Sequence, residues 1–457
     1  MKITLIFIVV ILSTLIGCST QKGIQQNKNL NVQQPPSQNL QKEENYIDNN
    51  EYTVDENINA YDMEDDVSIS DNRGEEINLS SISQKLRTQI LNNDSQNEKT
   101  VIDRYKNELP NGINKETQYS YYDLGYNYFL ITVEDGATVR DNPVQNSSIV
   151  DKLEYLDKVS ILESVQGEVL DDSDKWYRVM FNKGDELKEG YINSTAGIHR
   201  SFQFDKMQNS INDLIKQVKQ GDLHFISNYK NQNGAPPIKG NITVDEFGYR
   251  SYHSAPAYEQ EDINSNFRYI PDGLLVRILD ETDEFYKVNA PTFGSDFYVP
   301  KKYIDQSATL SEVNNVIVID RSQQNEATFE IDEKGLNLVS YNQATTGLPG
   351  NYSFETTLGI YKAIEKKDRF LYLKKGSQEI AGYAPYAIRF TGGAYIHGVP
   401  VEYKEEDGQK IDPGTIEYLH TIGTFPRSSM CVRNYTSHAK FLYNWMDTET
   451  GAVIVIE

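Results

Sequence analysis

Two cysteines occur in the 457 residues, Cys18 in "STLIGCST" and Cys431 in "PRSSMCVRN". They stand near opposite ends of the chain, so a disulfide between them is not expected and each needs its own explanation. A free thiol titrates near pH 8.5 and is only a few per cent ionised at neutral pH, so a nucleophilic cysteine needs a base nearby. Of the six histidines, His199, His224 and His253 precede the last third of the chain, and His253 reads as structural. His397, in "AYIHGVP", has the context of a base. It follows an apolar pair expected to be a strand and precedes Gly398, which permits a sharp turn, so its ring can sit at the mouth of a sheet. His420, in "EYLHTIG", and His438, in "TSHAKFLYNWM", read as packing or surface residues. The latter segment is predicted to be a helix burying Phe441, Leu442 and Trp445.

The elements that would position this pair are strands. From "NNVIVIDRSQQNEATFEI" onward, runs such as "VIVID", "ATFEID", "LNLVSYNQATT", "GIYKAIEK" and "FLYLKK" alternate with Gly and Asn turns, and "GAVIVIE" reads as a closing strand. Upstream, "YNYFLITVEDGATVRDNPVQNSSIVDKLEYLDKVSILESV", "KWYRVMF" and "EGYINSTAG" give short strands at the spacing of a small barrel. After a predicted helix in "FQFDKMQNSINDLIKQVKQG", the pattern returns more faintly: "FYKV" echoes "WYRV" and "FYVPKKYI" echoes "EGYI", as an internal duplication would leave them. An unrelated β-subdomain packed on the last domain is the alternative.

The N-terminal part has a different character. "MKITLIFIVVILSTLIG" has one lysine, an apolar run from Ile3 to Ile16 and small residues before Cys18, the pattern of a secretory signal. The run is shorter than the roughly 20 residues of a spanning helix. "LIGC" resembles a bacterial lipobox, which implies lipidation of Cys18 after cleavage; an uncleaved signal anchor is the alternative. Both put the protein outside, on a membrane. Residues 18–118 are rich in Asn, Gln, Asp, Glu and Ser and are expected to be a disordered tether, with one short helical possibility in "SSISQKLRTQIL". Net charge is −23, and Lys42 to Glu76 alone holds thirteen acidic and two basic residues. With no clustered basic surface, a nucleic-acid partner is excluded.

Two resemblances follow from these motifs. "ATVRDNP", "KVSILES", "WYRV" and "EGYI" resemble a bacterial SH3 domain, a family whose modules bind cell-wall peptide or space out an enzyme. "IHG", then a gap, then "SSMCVRN" resembles the L,D-transpeptidase, or YkuD, signature, and "SYNQATTGLPGNYSFETTLGIYKAI" resembles that family's upstream strand and turn. The resemblance implies Cys431 as nucleophile, His397 as its base and the Gly398 carbonyl as the group orienting the imidazole. Ser428 and Arg433 match the family's residues flanking the thiol. It also implies the substrate, a peptidoglycan stem peptide attacked at the carbonyl before a D-alanine. D-Alanine leaves, and the thioester is resolved by an amine to a 3→3 cross-link or by water. No metal or other cofactor is expected, since no Cys/His cluster has zinc spacing. The oxyanion would be held by backbone N–H groups around Met430, Cys431 and Val432.

Two departures from the family pattern stand out. Ser429-Met430 replaces its His-Gly; Ser429 can still donate a hydrogen bond, whereas a positive φ is costly for Met430, so the loop's backbone is expected to differ locally or to avoid that conformation. His397 and Cys431 are also 34 positions apart, and the extra length holds "VEYKEEDGQKIDPGT", an expected exposed acidic hairpin that either screens substrates or is only a solvated loop.

The expected fold is mostly β: signal peptide 1–17, tether 18–118, SH3-like domain 119–198, helical linker 199–238, second SH3-like domain 239–312, and a sandwich-like catalytic domain over 313–457. The expected function is that of an exported, lipid-anchored cysteine L,D-transpeptidase facing the cell wall, in the periplasm or on the outer face of the plasma membrane. The alternative is a non-catalytic wall-binding lipoprotein with a degenerate transpeptidase-like domain. An NlpC/P60 endopeptidase is disfavoured, because its histidine follows the cysteine and only His438 does so here.

Overall fold

The computed structural model describes residues 100–119, 124–184, 186–238, 243–350, 353–374, 379–406 and 408–457. The expected signal segment, Cys18 and most of the expected tether lie outside these residues. The fold is mostly β, as the strand-rich sequence predicts, with helices at Phe204–Lys219 and Thr436–Trp445.

The last part of the chain is a sandwich. One sheet runs in the order Ile113–Lys115, Gly335–Gln343, Asn325–Asp332, Asn315–Asp320, Gly451–Ile456 and Gly359–Lys362. Its C-terminal strand lies parallel to Asn315–Asp320, pairing Ile317 with Val453. The second sheet runs Glu365–Leu373, Ile380–Thr391, Ala394–His397 and Val432–Arg433, with Val401–Glu402 also paired to Ile380–Thr391. Ile317, Ile319, Val453 and Val455 on one sheet meet Ile388, Phe390, Ile396 and Val432 on the other in a single core. The opposite face of the first sheet, with Val316, Val318 and Phe329, is covered by Met207, Ile211 and Leu214 of helix Phe204–Lys219. Burial on both faces explains why "VIVI" within this strand is continuously apolar rather than alternating. The remaining face of the second sheet carries Phe370, Tyr372, Tyr395 and Cys431.

The two upstream modules share one design. In the first the strand order is Ile149–Leu153, Ala137–Arg140, Glu186–Asn193, Ser173–Lys183, Lys158–Leu170, Asn127–Ile131 and Gly197–Ser201. In the second it is Phe267–Pro271, Ser254–Tyr258, Ser295–Pro300, Phe285–Ala290, Leu275–Glu281, Leu223–Ile226 and Ile304–Leu310. Strand for strand the orders coincide, and a short 3-10 turn precedes the last strand of each, at Ser194–Ala196 and Lys301–Tyr303. "WYRV" and "FYKV" occupy corresponding strands, as do "EGYI" and "FYV".

Two expected boundaries move. Val101–Arg104 pairs with Lys158–Leu170, and Ile113–Lys115 pairs in parallel with Gly335–Gln343, so these residues are not tether. Few apolar residues suffice there, because an existing sheet edge supplies the backbone partners and Ile113 buries its side chain. The helical linker is also shorter than expected: Leu223–Ile226 already belongs to the second module, pairing with Leu275–Glu281 and Ile304–Leu310. That module is joined to the sandwich by a continuous core, in which Val276, Val288 and Val299 join Ile388 and Phe390. Gly273, at φ 83, makes the closest approach; a Cβ there would lie 2.0 Å from the Phe390 carbonyl oxygen.

Candidate active site

His397 ends the strand Ala394–His397, and Cys431 directly precedes Val432–Arg433, the parallel neighbour of that strand. Ile396 pairs with Val432 and His397 with Arg433. Alternation does the sorting: Ile396 and Val432 point into the sandwich core, while Tyr395 and Cys431 lie together on the other face. His397 and Cys431 thus share a face of adjoining strands. Strand spacing of about 4.8 Å and about 6.6 Å for two residues along a strand place their Cα atoms roughly 8 Å apart on the diagonal, within reach of a thiol and an imidazole.

His397 is fully buried, and its Nδ1 lies 2.6 Å from the Gly398 carbonyl oxygen. A carbonyl only accepts, so Nδ1 carries the proton and Nε2 keeps the lone pair of a base. The strand end is fixed further by Asn434, whose N–H donates to the His397 carbonyl at 2.8 Å. Gly398 itself is hemmed in: an added Cβ would meet Thr436 Oγ1 at 2.9 Å.

The thiol is buried beside aromatic rings, with Phe370 stacked on Tyr395 at 4.3 Å between centroids. The Tyr395 N–H lies 3.4 Å from Sγ, and the Gly393 carbonyl accepts from the thiol at 3.8 Å. Neither contact is legible in the sequence, since both come from backbone atoms of the neighbouring strand and its turn. The Ser428 hydroxyl donates to the Cys431 carbonyl at 2.5 Å, and Leu348 N–H to the Ser428 carbonyl at 2.9 Å, which ties the cysteine loop to the segment after Gly335–Gln343. Arg433 is buried and exchanges backbone hydrogen bonds with Thr345 at 2.9 and 3.0 Å. Ser429 is partly exposed in the same loop.

Met430 overturns one expectation. Its φ is 69°, so the loop keeps the left-handed conformation with a residue that carries a side chain. Three contacts over-determine it. The Met430 N–H donates to the Phe354 carbonyl at 2.7 Å, its carbonyl accepts from Thr356 Oγ1 at 2.8 Å, and its side chain is buried in the sandwich core. Held by Phe354, the Met430 N–H is not offered to an oxyanion, unlike the expected set of donors. Thr356, which also accepts from Gly347 N–H at 2.8 Å, is a positioning residue that sequence reading missed.

The other histidines fall elsewhere. His438 is fully buried on its helix, Nδ1 3.1 Å from Asn434 Oδ1 and Nε2 3.0 Å from Ser340 Oγ; burial pushes it down to about 3. His420 lies 3.5 Å from Asp157 of the first module. His253 accepts the Lys230 N–H on Nδ1 at 2.8 Å, and burial and neighbouring cations push it down to about 2. The expected hairpin is present as Lys404–Glu406 paired with Gln409–Ile411, both exposed; Asp412 beyond it takes an ion pair from Arg369 at 3.1 Å and the Tyr383 hydroxyl at 3.0 Å.

Among solved structures, this chain is similar to a fused Zn-dependent amidase/peptidase/peptidoglycan-binding domain-containing protein from Clostridium acetobutylicum ATCC 824, at 15% identity and a TM-score of 0.21, covering 31% of this chain and 52% of that one. It is similar to an L,D-transpeptidase from Mycobacterium smegmatis at 14% identity and a TM-score of 0.24, covering 40% and 82%. L,D-transpeptidase 3 from Mycobacterium tuberculosis gives 16% identity and a TM-score of 0.23, covering 40% and 77%. The chain thus spans about half the length of the first of these. No curated protein matches it at a significant level. His397 and Cys431 both fall within residues 314–456, which match the family model of YkuD, the L,D-transpeptidase catalytic domain.

Proposed function

We propose that the chain is a peptidoglycan L,D-transpeptidase in which Cys431 is the nucleophile and His397 its general base. The observation that carries this reading is the placement of both side chains on one face of adjoining parallel strands, with Nδ1 of His397 engaged by Gly398 at 2.6 Å. His397 Nε2 takes the thiol proton, and the thiolate attacks the stem-peptide carbonyl before D-alanine. The oxyanion collapses to a thioester as His397 returns the proton to the departing amine. An amine of a second stem, or water, then attacks the thioester and releases Cys431. The Tyr395 N–H, aimed at Sγ, favours the ionised thiol.

The match over residues 314–456 supports the reaction class. Against the degenerate, non-catalytic alternative stands the turn at Met430, which keeps its left-handed backbone although glycine is absent. Within the same proposal, the N-terminal segment exports the chain, Cys18 is lipidated, and the two SH3-like modules hold the enzyme at the wall.

Incubating the full chain with a carbapenem and weighing it is the direct test. One covalent adduct, absent in Cys431→Ala, together with D-alanine release from a tetrapeptide stem, is the expected result. An unmodified wild-type protein that releases no D-alanine would refute the reading.

A further inference from the structure

Arg250 belongs to the second module, outside the residues matched to the family. Its guanidinium packs 4.9 Å from the ring centroid of Phe354 and 5.9 Å from that of Tyr252. A Cβ built on Gly392 would lie 3.0 Å from Nη2 of Arg250. Both neighbours border the thiol loop: Gly393, next in the chain, accepts from Cys431 at 3.8 Å, and the Phe354 carbonyl holds Met430 N–H at 2.7 Å. Burial draws the Arg250 pKa down to about 10, and the Cys431 thiolate is among the negative groups opposing that shift.

Among the described residues no carboxylate forms an ion pair with Arg250. Asp272, the carboxylate that acts on it electrostatically, is bound at 2.6 Å by Arg389, which also binds Glu365 at 2.6 Å. Arg250 is partly buried, and its two aromatic neighbours supply cation–π contact but no opposite charge. Asp272 and Glu365 are thus committed to Arg389, which leaves the guanidinium of Arg250 available to a carboxylate from outside the chain.

We propose that Arg250 docks a carboxylate of the acyl donor beside Cys431, which makes it a positioning residue supplied by the second module. The proposal rests on the stem-peptide reading above. In a donor cut before a terminal D-alanine, the departing residue carries a free carboxylate one residue beyond the attacked carbonyl. A guanidinium pairs with carboxylate through two parallel hydrogen bonds, which fixes direction as well as position and aims that carbonyl at the thiol. The contact exists in the donor complex and departs with D-alanine, leaving the site open for the acceptor.

The test uses the full chain carrying Cys431→Ala, so that binding is read without turnover, with a tetrapeptide stem ending in D-alanine as the free acid or as its C-terminal amide. The acid is expected to bind about tenfold more tightly, the worth of a charged hydrogen-bonded pair. Arg250→Gln abolishes the preference, and Arg250→Lys, which keeps the charge, retains part of it. Equal affinity for acid and amide with Arg250 in place, or an acid preference that survives Arg250→Gln, overturns the proposal. So does a second outcome in the protein with Cys431 intact: Arg250→Gln shifts the pH profile of iodoacetamide alkylation while the peptide preference stays, which makes Arg250 a partner of the thiolate. D-Alanine release by the wild type is read separately. Its absence beside an intact acid preference refutes the reaction and upholds the anion site.

Discussion

A Cβ built on Gly347 would lie 2.6 Å from the backbone nitrogen of Met430, so the turn before the thiol closes only over a residue without a side chain. Left-handed backbone costs an L-residue roughly 1–2 kcal/mol, which Gly at 430 would recover. Truncating a buried methionine costs about 2–5 kcal/mol, which is larger. Met430→Gly and Met430→Ala are therefore both expected to destabilise, but with Gly about 1 kcal/mol better than Ala, the reverse of the usual order. Denaturant unfolding of both variants checks this, and Ala at or above Gly would contradict the assigned backbone.

His397→Ala is expected to lower D-alanine release about 10²–10⁴-fold, the usual worth of a general base. His420→Ala removes only the partly exposed contact to Asp157 and should stay within about threefold of wild type, since such surface pairs are worth about 0–1 kcal/mol. Steady-state rates on a soluble stem peptide decide, and a dead His420→Ala beside an active His397→Ala would reassign the base.

Glu326 and His438 are fully buried 3.5 Å apart, and burial moves them in opposite directions, Glu326 up to about 8 and His438 down to about 3. Both are thus neutral between those values. Glu326 binds its proton more tightly folded than unfolded, so its stabilisation is complete below about pH 4.5 and is lost as pH rises toward about 8. His438 binds its proton less tightly folded, so its contribution is complete above about pH 6.5 and is lost as pH falls toward about 3. Melting curves of Glu326→Gln across pH 5–9 should lack the part of the alkaline decline that the carboxyl causes. An undiminished wild-type slope would refute the assignment.

Asp272 and Arg389 form a buried ion pair at 2.6 Å between the second module and the C-terminal sandwich. Removing one partner of a buried pair typically costs about 3–5 kcal/mol; because Arg389 keeps Glu365, Asp272→Ala should fall at or somewhat below the lower end. A double-mutant cycle with Arg389→Met should show coupling of more than about 1 kcal/mol, and additivity would mean that the contact contributes nothing.

The strands were legible because their residues declare them. "VIVI" and "AVIVI" are unbroken apolar runs, and each lies between two covered faces. The helix Thr436–Trp445 and the placement of His397 on a strand end were legible for the same reason, a local pattern read against a known period. What escaped depends on partners distant in the chain. The left-handed turn at Met430 is held by Phe354 and Thr356, and nothing within "SSMCVRN" announces them. Val101–Arg104 and Ile113–Lys115 are too short and polar to signal themselves, and are strands because neighbouring edges pair with them. Arg250 reaches the thiol loop only through the docking of the second module, a relation that spacing along the chain does not encode.

The shared cores decide where this chain can be cut. Residues 314–456 alone would bare Val316, Val318 and Phe329 by losing Met207, Ile211 and Leu214, and would expose the other flank by losing Val276, Val288 and Val299. Such a fragment would present two apolar surfaces to water and to copies of itself. The piece that keeps both flanks covered begins near Thr100 and carries both modules; in it the second module and the sandwich should melt together, because one interior runs through both, whereas the first module also encloses an interior of its own around Phe129 and Val179.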